Sequence, residues 1–274
     1  MPELPEVETV RRHLAPVVEG RRFVDVEIRH PRTGRRNASP ADVGDRLRGR
    51  LVERLDRVGK FLLGRLDSEM TWVTHLGMSG RVVVTIPGEA EALHTHFVAR
   101  TDAGAEVRLV DPRTFGFVAV FTPDELASHL NLGRDALSDL PRTPQLAAAL
   151  EGRTAPVKSL LLDQRIIAGL GNIYADEVLH MARVKPTRPA GALSRSEMTK
   201  LRGAIKPLLE AGIAAGGTSL NDLAYLLPDG QAGGYLERLK VYGREGQPCR
   251  RCGSPIERVV VGGRSSFFCP KCQI

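Results

Sequence analysis

The sequence predicts an α+β fold divided among several domains: an N-terminal helix with an antiparallel β-sandwich, a helical second half, and a small cysteine-held β-hairpin. Three observations carry that prediction. Seven short alternating or apolar runs follow one another between residues 23 and 111. Two capping-box tetrapeptides, "TPDE" at 122–125 and "SRSE" at 194–197, then open helical patterns. Finally, all four cysteines of the 274 residues lie within the 24 positions from 249 to 272.

Residues 5–18 read as a helix because Pro5 suits a first turn and Val7, Val10, Leu14 and Val17 recur at helical spacing. From Phe23 the pattern shortens to "FVDVEIRH", "RLVERLD", "KFLLGRL", "TWVTHLGM", "RVVVTI", "THFVART" and "AEVRLVD". "TDAGA" between the last two is a hairpin turn, and the sandwich extends to about residue 121. The second capping box opens a helix with an expected apolar face of Met198, Leu201, Ile205 and Leu208, stopped by Gly212. A helical pair, "PVKSLLLDQRII" and the segment from Asn172, surrounds "AGLGN". Residues 214–234 are glycine-rich and polar, the composition of a mobile loop. The expected domains are therefore 1–121, 122–239 and 240–274.

A composition of 42% hydrophobic and 26% charged residues is that of a soluble globular chain. No apolar run approaches the roughly 20 residues needed to span a bilayer. The acidic N-terminus lacks the basic-then-apolar pattern of a signal peptide. A cytosolic location and no membrane partner follow as expectations. The net charge is +7, and residues 240–274 hold seven basic side chains against two acidic ones, leaving +5 of it there. Such a basic module fits a polyanionic partner, nucleic acid first, or else a merely solvated surface.

The chemistry-bearing residues fall into four groups. Cys249-x2-Cys252 and Cys269-x2-Cys272, separated by 16 residues, place four thiolates on two tight turns, the arrangement for one tetrahedral Zn²⁺. Nothing nearby offers an open coordination position, so the zinc is structural. The intervening "VVVGGRSSFF" is a strand pair whose glycine turn presents Arg264, either rigidly to a docking partner or as an ordinary solvated arginine. "AGLGNIYADEVL" starts like a dinucleotide fingerprint, but Tyr174 holds the third glycine position and no strand pattern precedes it. Its alternatives are a phosphate-binding helix start capped by Asn172 and a plain helix hairpin. Met78 in "HLGMSGR" and Phe115 in "DPRTFGF", with Arg113 two residues before it, are either core residues or wedges that fill a gap in a base stack. The "GMSGR" stretch lacks the second glycine of a serine-hydrolase elbow. Lys60 in "VGKFLL" could touch phosphate, act as a nucleophile or be solvated, and Pro2 in "MPELPEVETV" is either a helix start or part of a reactive N-terminus.

Together these pieces resemble the bacterial formamidopyrimidine-DNA glycosylase family from end to end. The resemblance rests on "PELPEVETV", "GK" at 59–60, "HLGMSG", "DPRTFG", "GLGNIYADE", "GGTSLND", "VYGREGQPC" and "GGRSSFFCPKCQ", in that order. The related endonuclease VIII branch typically begins with a PEG-type start, so the opening favours the oxidised-purine branch.

The resemblance implies a two-lobed clamp with a β-sandwich, a helix–two-turns–helix domain and a zinc finger, and DNA in the cleft. It implies a bifunctional glycosylase and abasic-site lyase that flips an oxidised base, cuts its glycosidic bond and nicks the strand by β,δ-elimination. Pro2, freed of Met1, would be the nucleophile that forms a Schiff base at C1′. An α-amino group has a pKa near 8 against about 10.4 for lysine, so more of it is neutral at pH 7. Glu3 would be the general acid/base and Glu6 its support. Lys60, His75, Asn172, Tyr242 and Arg264 would grip phosphates, with Lys60 and Arg264 also assisting elimination. Met78, Arg113 and Phe115 would fill the vacated stack, Arg113 facing the orphan cytosine. Lys158 and the Thr218–Tyr235 loop would line the lesion pocket, although Leu236 stands where the family pattern expects an aromatic. The implied partner is double-stranded DNA with oxidised bases or abasic sites, bound by a monomer. The competing expectations are an endonuclease VIII-like enzyme preferring oxidised pyrimidines and a non-catalytic lesion-binding zinc protein.

Overall fold

Pro5 in the first turn and apolar residues every three to four positions make α1 (Leu4–Val18), which buries Leu4, Val7, Val10, Leu14 and Val18. The structure, a computed structural model, describes residues 2–220 and 225–274. Met1 and residues 221–224, which include Asn221 and Asp222 of "GGTSLND" and part of the expected lesion loop, lie outside the described residues. After α1 come β1 (Arg21–Ile28), α2 (Pro40–Leu47), β2 (Leu51–Val58), β3 (Phe61–Leu66), β4 (Thr71–His75), β5 (Arg81–Thr85), β6 (Thr95–Thr101), β7 (Glu106–Val110), β8 (Phe117–Phe121) and α3 (Pro123–His129). α2 has no counterpart in the expected elements. Ser39 caps it by accepting the Asp42 N–H at 3.1 Å, and Pro40 fills its first position.

The strands form one antiparallel ladder in the order β5-β7-β6-β1-β2-β3-β4-β8. β1 joins its halves: Arg21 and Arg22 pair with β2, and Phe23 onward pairs with β6 across a bulge. The halves face each other over one core, as a sandwich requires. Trp72 of β4 stacks on Phe97 of β6 with ring centroids 6.5 Å apart, and Phe23 meets Trp72 edge-on at 5.3 Å. Gly64 leaves room for the indole, since a Cβ there would lie 2.6 Å from it.

The remaining elements are β9 (Arg134–Asp135), α4 (Thr143–Leu150), α5 (Val157–Leu161), β10 (Ile167–Ala168), α6 (Asn172–Ala182), α7 (Arg195–Ala214), β11 (Glu257–Val261) and β12 (Arg264–Phe268). By contacts the chain groups into two units, Met1–Asn131 with Ala215–Leu236, and Leu132–Ala214 with Glu237–Ile274. The glycine-rich segment thus groups with the β unit rather than with the helices that precede it.

Three local expectations need correction. The helix expected over "PVKSLLLDQRII" is only five residues long, and its end instead forms β10, a two-residue parallel pairing with β9, so a short strand does precede "GLGN". α7 does not stop at Gly212. A Cβ at 212 would lie 2.3 Å from Tyr174 Oη, so this glycine admits the tyrosine of α6 rather than ending the helix. The chain leaves the helix at Gly216 and Gly217, with φ of +73° and +82°. The buried face of α7 runs through Leu209, with Leu208 half-buried, because 3.6 residues per turn carries the stripe one position onward. Among the described residues no helix is long and apolar enough to cross a membrane.

Candidate active site

In the first unit, the sequence PELPE folds its own acids inward. Glu3 caps α1, and its N–H donates to Glu6 Oε2 at 2.8 Å. Pro2 is buried, and Glu3 and Glu6 are each 1% exposed. The Thr218 N–H donates to Glu6 Oε1 at 2.7 Å. That approach needs Gly217, where a Cβ would sit 3.0 Å from Glu6 Cγ and the left-handed φ already favours glycine. Tyr225 closes the other side, its hydroxyl donating to Gly216 O at 3.1 Å. The stems of the loop expected to be mobile are therefore hydrogen-bonded to the N-terminal helix.

Burial, followed by the charge of Glu3, raises the Glu6 pKa to about 7, against the pull of the backbone N–H groups of Thr218, Glu3 and Glu6 itself. The Glu6 side chain thus holds or releases a proton near neutral pH, close to the start of the chain. Because the folded value lies above the ordinary one, its contribution to stability is present below about pH 4.5 and is lost as pH rises through about 7. Relative to Glu6→Gln, wild type should lose on the order of 3 kcal/mol of unfolding free energy between about pH 5 and about pH 8. Urea unfolding of both proteins at the two pH values checks this, and a pH-independent difference would contradict it.

Lys60 follows the tight turn at Gly59 (φ +56°) and is buried. His75, at the end of β4, pairs with Phe61 and packs between the Phe61 and Phe117 rings at 4.7 and 5.7 Å. Burial, with the charges of Lys60, Arg35 and Arg36, lowers its pKa to about 4. Its Nδ1 accepts the Gly77 N–H at 3.1 Å, so the neutral ring carries its proton on Nε2 as a donor. Met78 and Phe115 are 38% and 39% exposed, which excludes the core alternative for both. The Arg113 guanidinium lies 4.9 Å over the Phe115 ring.

In the second unit the expected residues converge on β12. Asn172 is the first residue of α6, not its cap; Gly171 holds the cap position, and Asn172 Nδ2 donates to Ser265 O at 3.0 Å. Lys158 is a second correction. Expected to line a pocket, it is instead 0% exposed in the second unit, with Nζ 2.7 Å from Asp176 Oδ1 and 2.9 Å from Ser265 O. Asp176 also accepts the Phe267 N–H at 2.9 Å. The neighbouring Glu177 accepts the N–H groups of Lys240, Val241 and Tyr242 at 2.9–3.0 Å, fixing the approach to the hairpin. The Tyr242 ring meets Phe267 edge-on at 5.3 Å. Arg264 opens β12 immediately after the Gly262–Gly263 turn (φ +55° and +74°) and is exposed. Sequence reasoning missed Asp176 and Glu177; the available signal was two acids inside an otherwise apolar helix.

The Sγ atoms of Cys249, Cys252, Cys269 and Cys272 all lie within 4.8 Å of one another, and none is in a disulfide. The Arg251 and Cys272 N–H groups each point at a cysteine sulfur at 3.4 Å, the knuckle geometry that supports thiolates. Four sulfurs at this separation fit one tetrahedral Zn²⁺ with Zn–S bonds of about 2.3 Å. The site has no room in its donor set for a substrate.

Comparison with known proteins agrees along the whole chain. Residues 1–118 match the formamidopyrimidine-DNA glycosylase N-terminal domain, 132–223 its helix–two-turns–helix domain, and 246–274 a zinc finger found in that enzyme and in IleRS. The formamidopyrimidine-DNA glycosylase of Rhizorhabdus wittichii is 47% identical over 276 residues, covering 100% of both chains. That of Moorella thermoacetica is 45% identical over 94% of both. The crystal structure of the MutM (Fpg) protein from Thermus thermophilus superposes with a TM-score of 0.89 at 41% identity, covering 99% of this chain and 98% of that one. The Lactococcus lactis protein in complex with DNA containing an abasic site gives 0.91 at 30% identity over 99% of both. With three domain models in order and relatives matched over their full length, the chain belongs to the formamidopyrimidine-DNA glycosylase family.

Proposed function

We propose that the chain excises oxidised purines, 8-oxoguanine and formamidopyrimidines, from duplex DNA through its N-terminal proline and then cleaves the strand as a lyase. The observation that carries this reading is the buried Pro2–Glu3–Glu6 start, with a carboxyl that titrates near neutral pH beside it. Solved relatives hold DNA with an abasic site and with carbocyclic 8-oxo-G, which supports the same class of partner here.

In the proposed reaction Met1 has been removed, and the Pro2 secondary amine attacks C1′ as the bond from C1′ to the base breaks. Glu3 protonates the ring oxygen as the sugar opens, and loss of the amine proton leaves an iminium linking Pro2 to C1′. Removal of a C2′ proton then expels the 3′ phosphate, and a second elimination expels the 5′ phosphate. Glu6 exchanges protons with this site. Lys60, His75, Asn172, Tyr242 and Arg264 hold the phosphates, His75 through its neutral Nε2–H, and Lys60 and Arg264 assist elimination. Met78, Arg113 and Phe115 occupy the vacated stack. The four cysteines hold one structural Zn²⁺, which cross-links the two knuckles. The enzyme acts as a monomer in the cytoplasm.

The preference for purines is tested by single-turnover excision of 8-oxoguanine opposite cytosine against thymine glycol opposite adenine. Faster release of 8-oxoguanine is expected. Faster release of thymine glycol would replace this reading with the pyrimidine-preferring one.

A further inference from the structure

Met78 and Phe115 are exposed apolar side chains on loops, yet the backbones beneath them are locked. The centre of that lock is Asp111, the residue after β7, which is 1% exposed. Its Oδ1 accepts the Ser79 hydroxyl at 2.7 Å and the Arg113 N–H at 3.3 Å. Its Oδ2 accepts the Gly116 N–H at 2.7 Å. One carboxylate therefore ties the turn carrying Met78 to the turn carrying Arg113 and Phe115. Its own backbone is held as well, the N–H donating to His94 O at 3.0 Å and the carbonyl accepting the Thr114 N–H at 3.1 Å.

Two further features show that this arrangement is imposed on the loops. Thr114 has φ +54°, a left-handed conformation that a β-branched residue avoids unless its surroundings dictate it. On the opposite side of the turn, Arg35 donates to Phe115 O at 2.8 Å and to Gly116 O at 2.7 Å. The Phe115–Gly116 peptide region thus has its N–H on a carboxylate and its carbonyls on a guanidinium. The two loops also touch through backbone. A Cβ at Gly77 would lie 2.3 Å from Gly116 N, and one at Gly116 would lie 2.9 Å from His75 O and 3.0 Å from Asp111 Oδ2.

We infer that Asp111, together with Ser79, is a positioning residue that presets the Met78 and Phe115 wedges before DNA binds. The inference rests on the wedge reading of those two residues. A side chain that must enter a base stack does so at lower cost when its loop is already ordered, because the ordering entropy is not taken from binding. The carboxylate is needed for its acceptors: it receives three donors at once. An asparagine of the same shape has one acceptor oxygen, and its amide would face a backbone N–H, that of Gly116 in one orientation or that of Arg113 in the other.

The test uses the zinc-loaded full-length protein with Asp111→Asn, Ser79→Ala and, as the wedge control, Phe115→Ala. The first readout is the fluorescence of 2-aminopurine placed beside the orphan base in a duplex with a tetrahydrofuran abasic analogue, which reports unstacking without chemistry. The second is excision of 8-oxoguanine from duplex. The third is borohydride trapping on single-stranded DNA with an abasic site, where there is no stack to fill. Asp111→Asn should reduce the fluorescence rise and slow duplex excision by about 10- to 100-fold, with single-stranded trapping unchanged. Ser79→Ala should follow it more weakly. Wild-type fluorescence and excision in Asp111→Asn, alongside losses in Phe115→Ala, would overturn the inference and leave the wedge reading standing. Loss of single-stranded trapping in step with excision would overturn it by showing general damage. Full unstacking and excision by Phe115→Ala would overturn both.

Discussion

Stripping the zinc should unfold the C-terminal hairpin and abolish tight binding to lesion-bearing duplex. The hairpin's own core consists of Val241, Cys249, Ile256 and Cys269, with a few half-buried neighbours, too little apolar surface to hold a fold of this size. In zinc-finger peptides the metal contributes an apparent 10–16 kcal/mol, roughly the whole stability of such a module. Of the proposed phosphate contacts, Arg264 lies on the segment that the metal closes, and Tyr242, just before it, packs its ring against Phe267 of the hairpin. The buried carboxylates Asp176 and Glu177 would also lose their partners at Phe267 and at residues 240–242. Fluorescence anisotropy with an abasic-analogue duplex, before and after chelation and after zinc is returned, checks this. Zinc-free protein with undiminished affinity would contradict it.

Glu3→Gln should lower 8-oxoguanine excision by about 10²–10⁴-fold, the usual contribution of a positioned general acid/base, while duplex affinity is retained. The substitution keeps the shape of the buried side chain and removes its ability to give a proton to the opening sugar. The helix start survives, because the Glu3 backbone N–H still donates to Glu6 Oε2 and the side-chain oxygen of a glutamine can still accept the N–H of Glu6. Pro2→Gly should likewise lose excision, since it replaces a secondary amine fixed by its ring with a freely rotating primary one. Single-turnover kinetics alongside anisotropy separates chemistry from binding. Equal losses of both would move Glu3 from the reaction to the binding surface.

Local patterns were legible in the sequence where a local force sets them. Thr122–Glu125 and Ser194–Glu197 form the hydrogen bonds expected of capping boxes, because both partners lie within one helical turn. The strand runs and the cysteine spacing were legible for the same reason. The ion pair of Lys158 was not legible, because its partner, Asp176, lies eighteen positions away and no local pattern marks a buried pair between helices. Gly212 reads as a helix stop until Tyr174 is seen to occupy the space where its side chain would be. Asn172 reads as a cap, yet the extended residue before it takes that place and frees the amide to reach Ser265. The aspartate of "DPRTFG" carries no local signal of its role, and only the fold brings Ser79 and Gly116 to it. Glu6 shows the same limit: its spacing from Glu3 is visible, but the glycine segment that buries it arrives more than two hundred residues later.

The central claim is that Pro2 is the nucleophile, and one measurement addresses it directly. The purified protein is incubated with duplex DNA carrying one 8-oxoguanine opposite cytosine, borohydride is added, and the cross-link is mapped by mass spectrometry. A covalent adduct on the Pro2 amine of a chain lacking Met1 is the predicted result, establishing the nucleophile, the Schiff base and the processing together. An adduct on a lysine instead, or active protein that excises the base and forms no adduct, would contradict the account.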